Sequence, residues 1–285
     1  MKLTHRQQRE AAYYDRFTRD HLGNRIDFTP VDRPDGAPWN SYRTLYRRIA
    51  ALSETIDVAD LSEHRALEIG CGSGTGAIRL AKLGYTVHGI DISQGAVEVA
   101  RQLAESHGLS DRCFFNPSPA ECLNWPDSHF DLVIGIDVLH HIEINKALVE
   151  IDRVLKPGGV AIFHEPIDAG WVDRLRETSL MRLLVSNKPT LNAEHHITED
   201  ERKIGGDELR LIDHTFESVL TDRFGLFSRL HRLLPARRAE WRSRLQRLDH
   251  RVLRMFPILK HLSDTAVMTC RKREQIASYP LRRVA

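Results

Sequence analysis

The sequence predicts an α/β protein, a doubly wound and mostly parallel sheet with helices on both faces. Two observations carry that expectation. Between Ala66 and Pro166, apolar runs of strand length alternate with longer segments whose apolar residues recur at helical spacing. Within that region Ala66-Leu67-Glu68-Ile69 leads into Gly70-Cys71-Gly72-Ser73-Gly74-Thr75-Gly76 and then Ala77-Ile78-Arg79-Leu80-Ala81. This order reads as a buried strand, a turn too tight for Cβ atoms and a helix N-terminus, where backbone can approach a ligand closely.

Taken in order, residues 1 to 60 read as helical. Tyr13 to Phe17 and Ser41 to Ala50 carry apolar residues at helical spacing and are separated by a loop from Pro30 to Pro38. Strands follow at Ala66 to Ile69, Thr86 to Ile90, Arg112 to Phe115, Phe130 to Ile136 and Gly159 to His164, with helices at Gln94 to His107 and Ile144 to Leu155. The latter helix runs into Lys156-Pro157-Gly158-Gly159, which reads as a helix stop with a cation, a proline and a φ > 0 residue. Beyond a polar stretch from Asp168 to Gly206, a helix at Asp207 to Asp213 and a strand at Phe216 to Arg223 are expected. Phe227 to Leu262 reads as two helices broken at Pro235, and Thr265 to Cys270 as a final strand.

Composition narrows the function classes. At 285 residues, 41% hydrophobic and 28% charged, the chain can bury a full core, which excludes overall disorder. No apolar run is long enough to cross a bilayer and the first ten residues hold no signal-like segment, so a cytoplasmic protein is expected. Cys71, Cys113, Cys122 and Cys270 show no CxxC or Cys/His ligand spacing. They are expected as small buried thiols, with no metal site. From Arg223 onward there are 16 Lys/Arg against 4 Asp/Glu, leaving an acidic body and a basic C-terminal region.

The glycine turn admits two ligand classes. A dinucleotide fingerprint needs its third glycine at position 75, which is Thr75. Glu68 followed by Gly70, Gly72 and Gly74 instead resembles the acid-x-Gly-x-Gly-x-Gly motif of the class I S-adenosylmethionine-dependent methyltransferases. The resemblance continues for about a hundred residues. It includes Asp91 at the end of the second strand, the Phe130-Asp131 strand, the His140-His141 loop and the turn at Leu155 to Gly159. It implies a seven-stranded sheet of order 3-2-1-4-5-7-6 with the last strand antiparallel, and S-adenosylmethionine as cofactor. It also implies a division into a helical cap (1–60), a cofactor-binding core (61–167), a lid and helical insertion with the sixth strand (168–264) and a final strand with tail (265–285), all serving one catalytic domain.

Site residues follow from the same alignment. Glu68, Gly70, Cys71, Gly72 and Gly74 are expected to wrap the cofactor, and Asp91 to accept from its ribose hydroxyls, with Ile92 beside it. Ser93 is better placed than Asp91 to cap the helix that follows. In Ser118-Pro119-Ala120-Glu121, Pro119 stands where the family has an adenine-contacting acid, so Ala120, Glu121 or stacking must replace it. Ile136 and Asp137 are expected along the methionine moiety, and Tyr14 is expected to close over the cofactor from the cap. The Asp/Asn-Pro-Pro-Tyr segment of nucleobase amino-methyltransferases is absent from that loop.

The resemblance implies methyl transfer to an oxygen, nitrogen or carbon of a small molecule; same-fold relatives that steer cyclisation without methylation are the alternative. If a general base is used, His140, His141 and His164 are the candidates. His195 and His196 fall in turn-like sequence that suits a lid. Residues 237–256 carry Trp241, Leu245, Leu248, Val252 and Met255 at helical spacing, flanked by arginines. That pattern suits either peripheral contact with anionic lipid or packing on the domain or a second copy, so both monomer and homodimer stay open. Trp241 and Phe256 are the aromatics among these basic residues, which speaks against nucleic acid.

Overall fold

The computed structural model describes residues 3–21, 40–54, 63–169, 202–229 and 239–274. Helices α1 (His5–His21) and α2 (Ser41–Ser53) precede β1 (Arg65–Ile69), α3 (Thr75–Lys82), β2 (Thr86–Asp91), α4 (Gln94–Ser106), β3 (Cys113–Pro117) and β4 (Phe130–Ile136). Next come α5 (Ile144–Val154), β5 (Leu155–Pro166), α6 (Gly206–Thr215), β6 (Ser218–Phe224), α7 (Ala239–Met255) and β7 (Thr265–Arg271).

The strands form one sheet of order β3-β2-β1-β4-β5-β7-β6. Strands β1 to β5 pair in parallel, and β7 runs antiparallel to both β5 and β6. Alternation fixes the two faces. Leu67, Val133, Ala161 and Phe163 pack with Ala147, Leu148 and Ile151 of α5, whereas Ala66, Ile134 and Ile162 pack with Leu45, Tyr46 and Ile49 of α2. Each Leu, Ile, Val or Phe among them contributes about 1.5–3 kcal/mol on burial, and a one-residue slip would exchange the faces, so the register is strongly specified.

Local signals set the helix starts. Asn40 accepts from the Arg43 N–H ahead of α2, and Ser93 Oγ accepts from the Ala96 N–H at 3.0 Å ahead of α4, the cap expected of it. Two readings need correction. Helix α5 stops at Val154 and Gly158 has φ +74, as the stop signal implies, but β5 begins at Leu155 rather than Gly159: Leu155 is already extended and pairs with Phe130, so Lys156 to Gly159 belong to the strand. Cys122 is exposed, unlike the other three thiols. The loop at 30–38, His195, His196 and Pro235 lie outside the described residues; the described break after α7 falls at Pro257.

Candidate functional site

The C-terminal ends of β1, β2 and β4 converge with α1 on a cavity of 340 Å³, within the roughly 300–1,000 Å³ of small-molecule sites. Its floor is the glycine turn, where Gly70, Gly72 and Gly74 all have positive φ. Asp91 stands at the edge of this floor. Its Oδ2 accepts from the Gly72 N–H and its Oδ1 from the Ser93 N–H, both at 2.9 Å. Burial raises its pKa despite these bonds.

Glu68 lies beneath the turn, not in the cavity wall. Its carboxyl fills the space a Cβ at Gly76 would need, and it takes the Ala77 N–H at the start of α3. Burial lifts its pKa to about 8, with the Asp91 charge adding to the effect. Two other turn residues also face away. Cys71 is buried, with its N–H donating to Ile90 O at 2.9 Å, and a Cβ at Gly74 would meet Ala100 and Phe115.

The fourth strand is followed directly by Asp137, a non-glycine residue at φ +52. Its N–H donates to His164 O at 2.8 Å, and its carboxylate meets Tyr42 Oη at 2.7 Å and His164 Nδ1 at 3.0 Å. Burial pushes its pKa up, but the bonds from His164 and Tyr42 prevail and hold it below the ordinary carboxylate range. His164 Nε2 is 2.9 Å from Ser41 Oγ, and its ring stacks on Tyr42. His140 is buried against Glu165, Nδ1 to Oε2 at 2.7 Å. Of the three candidate bases, His141 alone joins the cavity wall. Its Nε2 is 3.1 Å from Tyr14 Oη, and burial, then the nearby His140 and Arg6, push its pKa down to about 4.

Tyr14, Gly70, Gly72, Asp91, Ile92, Ala120, Glu121, Ile136, Asp137 and His141 therefore share one cavity, whereas Glu68, Cys71, Gly74, His140 and His164 stand behind it. Helix α1 covers the cavity through Tyr14, as expected of the cap, but it also brings residues that were not foreseen. Gln7, Glu10 and Thr18 are buried polar residues that line the cavity with Tyr14. Their spacing of three and four residues was the available signal, a polar face turned inward. Helix α1 is fastened by Gln7 Nε2 donating to Glu121 at 3.1 Å, by Arg6 donating to His141 O at 2.9 Å, and by Asp15 Oδ1, which accepts from Ser93 Oγ–H at 2.6 Å and Gly95 N–H at 3.0 Å.

Residues 67–163 match the family model described as a methyltransferase domain. That segment therefore matches a methyltransferase domain, and the sheet order is the one implied by the resemblance to the class I, S-adenosylmethionine-dependent methyltransferases. The chain is 36% identical over 129 residues to methyltransferase GfsG of Streptomyces halstedii, spanning 45% of this chain and 46% of that protein. It is 40% identical over 97 residues to 27-O-demethylrifamycin SV methyltransferase of Amycolatopsis mediterranei, spanning 33% and 36%. The matches thus cover less than half the length of these relatives. In fold, the chain is similar to the [4+2]-cyclase SpnF, with TM-score 0.57, 23% identity and coverage of 94% and 97%. It is also similar to geranyl diphosphate C-methyltransferase of Streptomyces coelicolor A3(2), with TM-score 0.52, 14% identity and coverage of 95% and 100%.

The cavity suits the cofactor this family implies. A Cβ on Gly72 would meet nothing within 4 Å, so the turn leaves open space beside the Asp91 carboxylate. Ile92, Pro119 and Ala120 add apolar wall for a base. Among the described residues, no group of three or more His, Cys, Asp or Glu could hold a metal ion, and no helix is long and apolar enough to cross a membrane.

Proposed function

We propose that this chain binds S-adenosylmethionine in the 340 Å³ cavity and transfers its methyl group to an oxygen, nitrogen or carbon of a small organic molecule. A sugar, a quinone, a natural-product intermediate or a lipid-linked precursor would offer such a nucleophile. The observation that carries this reading is the Asp91 carboxylate, fixed by two backbone N–H groups beside an open glycine turn. When bound, the cofactor supplies a methyl on a sulfonium, which is already an electrophile.

The chain's own residues then bind, orient and shield. Asp91 keeps lone pairs for ribose hydroxyls, and the apolar wall at Ile92 and Ala120 accommodates adenine. Helix α1 covers the cavity with Tyr14 and excludes water. His141, its pKa pushed down to about 4 and its Nε2 3.1 Å from Tyr14 Oη, orients Tyr14 over the cavity rather than holding a proton from the nucleophile. The strained Asp137 holds His164 in one orientation behind the wall.

The test is calorimetric titration with S-adenosylmethionine and S-adenosylhomocysteine, followed by a substrate panel with labelled methyl donor. Cofactor binding with a product heavier by one methylene identifies a methyltransferase. Turnover to an isomer of unchanged mass would instead indicate cyclisation or rearrangement, and absence of cofactor binding would refute both.

A peripheral contact with anionic membrane is the second reading. Trp241, Leu248 and Met255, of the stripe that suits either lipid or packing, are exposed on α7, and Phe256 and Ile258 extend the apolar surface. Liposome pelleting should recover the wild type with anionic vesicles and lose an Arg244/Arg247/Arg251→Glu variant to the supernatant; equal recovery would end the idea.

A further inference from the structure

A second cavity, of 480 Å³, opens where α2, the end of β6 and α7 meet. Arg47 and Arg48 reach it from α2, Arg223 from β6, Arg254 from α7 and Lys260 from the turn that follows, with His250 at its side. The carboxylates there are already engaged. Asp222 pairs with Arg48 at 2.8 Å, and the buried Asp249 accepts the N–H groups of Leu226, Phe227 and Ser228 at 3.1, 2.5 and 3.0 Å.

Arg223 is the telling member. Its guanidinium is partly buried and makes no hydrogen bond or ion pair among the described residues, and desolvation lowers its pKa. Leaving a charge partly buried and unpartnered is unfavourable. An anion in the cleft, which Arg47, Arg254 and Lys260 also line, would supply the missing partner. Guanidinium forks match the oxygens of a phosphoryl group in geometry as well as charge.

We propose that this cleft binds a phosphoryl dianion, presented either by a phosphorylated small molecule or by a phospholipid headgroup. The register places it near the site already described. Asp222 and His164 are both paired with Val267, so they lie two strands apart in one row of the sheet, about 10 Å by strand spacing. The exposed Met255, Phe256 and Ile258 lie along the chain between Arg254 and Lys260, offering apolar surface to the remainder of the ligand.

The proposal stands independently of methyl transfer, because binding is read without turnover. Calorimetric titration of the full chain with inorganic pyrophosphate should show saturable binding that weakens with salt and is unchanged by saturating S-adenosylhomocysteine. Arg223→Gln should weaken it at least about tenfold, the loss expected of charge-assisted hydrogen bonds. If thermal unfolding shows that this variant does not fold, Arg47→Gln/Lys260→Gln, at two exposed positions, must show the weakening instead. In parallel, phosphatidylcholine vesicles with and without phosphatidate are pelleted with wild type and variant. Pyrophosphate binding without vesicle recovery assigns the soluble source, and phosphatidate-dependent recovery lost in the variant assigns the headgroup. Neither pyrophosphate binding nor phosphatidate-dependent recovery, or binding equal in wild type and the folded variant, overturns the proposal.

Discussion

Glu165 and His140, both buried, face each other with Oε2 and Nδ1 2.7 Å apart, and the other oxygen of Glu165 accepts the N–H groups of Val138 and Leu139 at 3.0 and 2.8 Å. One side chain at the end of β5 thus holds three successive residues, Val138, Leu139 and His140, of the loop that follows β4. Glu165→Ala leaves three donors unpaired in the interior, and a destabilisation of about 3–5 kcal/mol is expected. Urea unfolding measures it; a change below about 1 kcal/mol would mean that the loop is held by something else.

Asp91→Ala is expected to weaken S-adenosylhomocysteine binding by about 1.5–3 kcal/mol, roughly 10- to 100-fold, the cost of losing hydrogen bonds to a charged acceptor. Titration calorimetry checks this, and unchanged affinity would refute the ribose role.

The parts of the site that sequence exposes are those set by local backbone demands. Alternating glycines announce a turn without Cβ atoms, and an acid at a strand end announces itself by its place in the alternation, so the turn and Asp91 were legible. His140, His141 and His164 were not separable, because their roles depend on Glu165, Tyr14 and Asp137, which are distant in sequence or on another element. The start of β5 was misplaced for the same reason: Lys156-Pro157-Gly158-Gly159 stops a helix locally, but pairing between Leu155 and Phe130 decides the outcome. The inward polar face of α1 was visible in its spacing, yet a polar face reads as solvated until something is seen to cover it.

Glu68→Gln should flatten the dependence of stability on pH. The native carboxyl titrates near 8 against an ordinary 4.5, so between these values the folded state binds more protons than the unfolded state. Stability therefore falls as pH rises through this window, by at most about 1.4 kcal/mol per unit, and is fully present below it. Unfolding the wild type and the variant by urea at pH 5 and pH 8 checks the slope. An equal slope in both would place the titration elsewhere.

Asp15→Ala should release α1 from the start of α4, since its Oδ1 accepts from both Ser93 Oγ–H and Gly95 N–H. Because α1 walls the cavity, S-adenosylhomocysteine affinity is expected to fall about tenfold, and trypsin should cut within α1 sooner. Unaltered digestion with unaltered affinity would show that Gln7 and Arg6 suffice to fasten the helix.

Strand β7 follows β6 in the chain yet lies between β5 and β6. On the ribosome, a nascent polypeptide that has not yet released residues 265–271 exposes an open β5 edge and has no partner for β6. The sheet is zipped shut by a seven-residue key arriving after both its neighbours, so chaperone demand and aggregation risk during synthesis should concentrate in that interval.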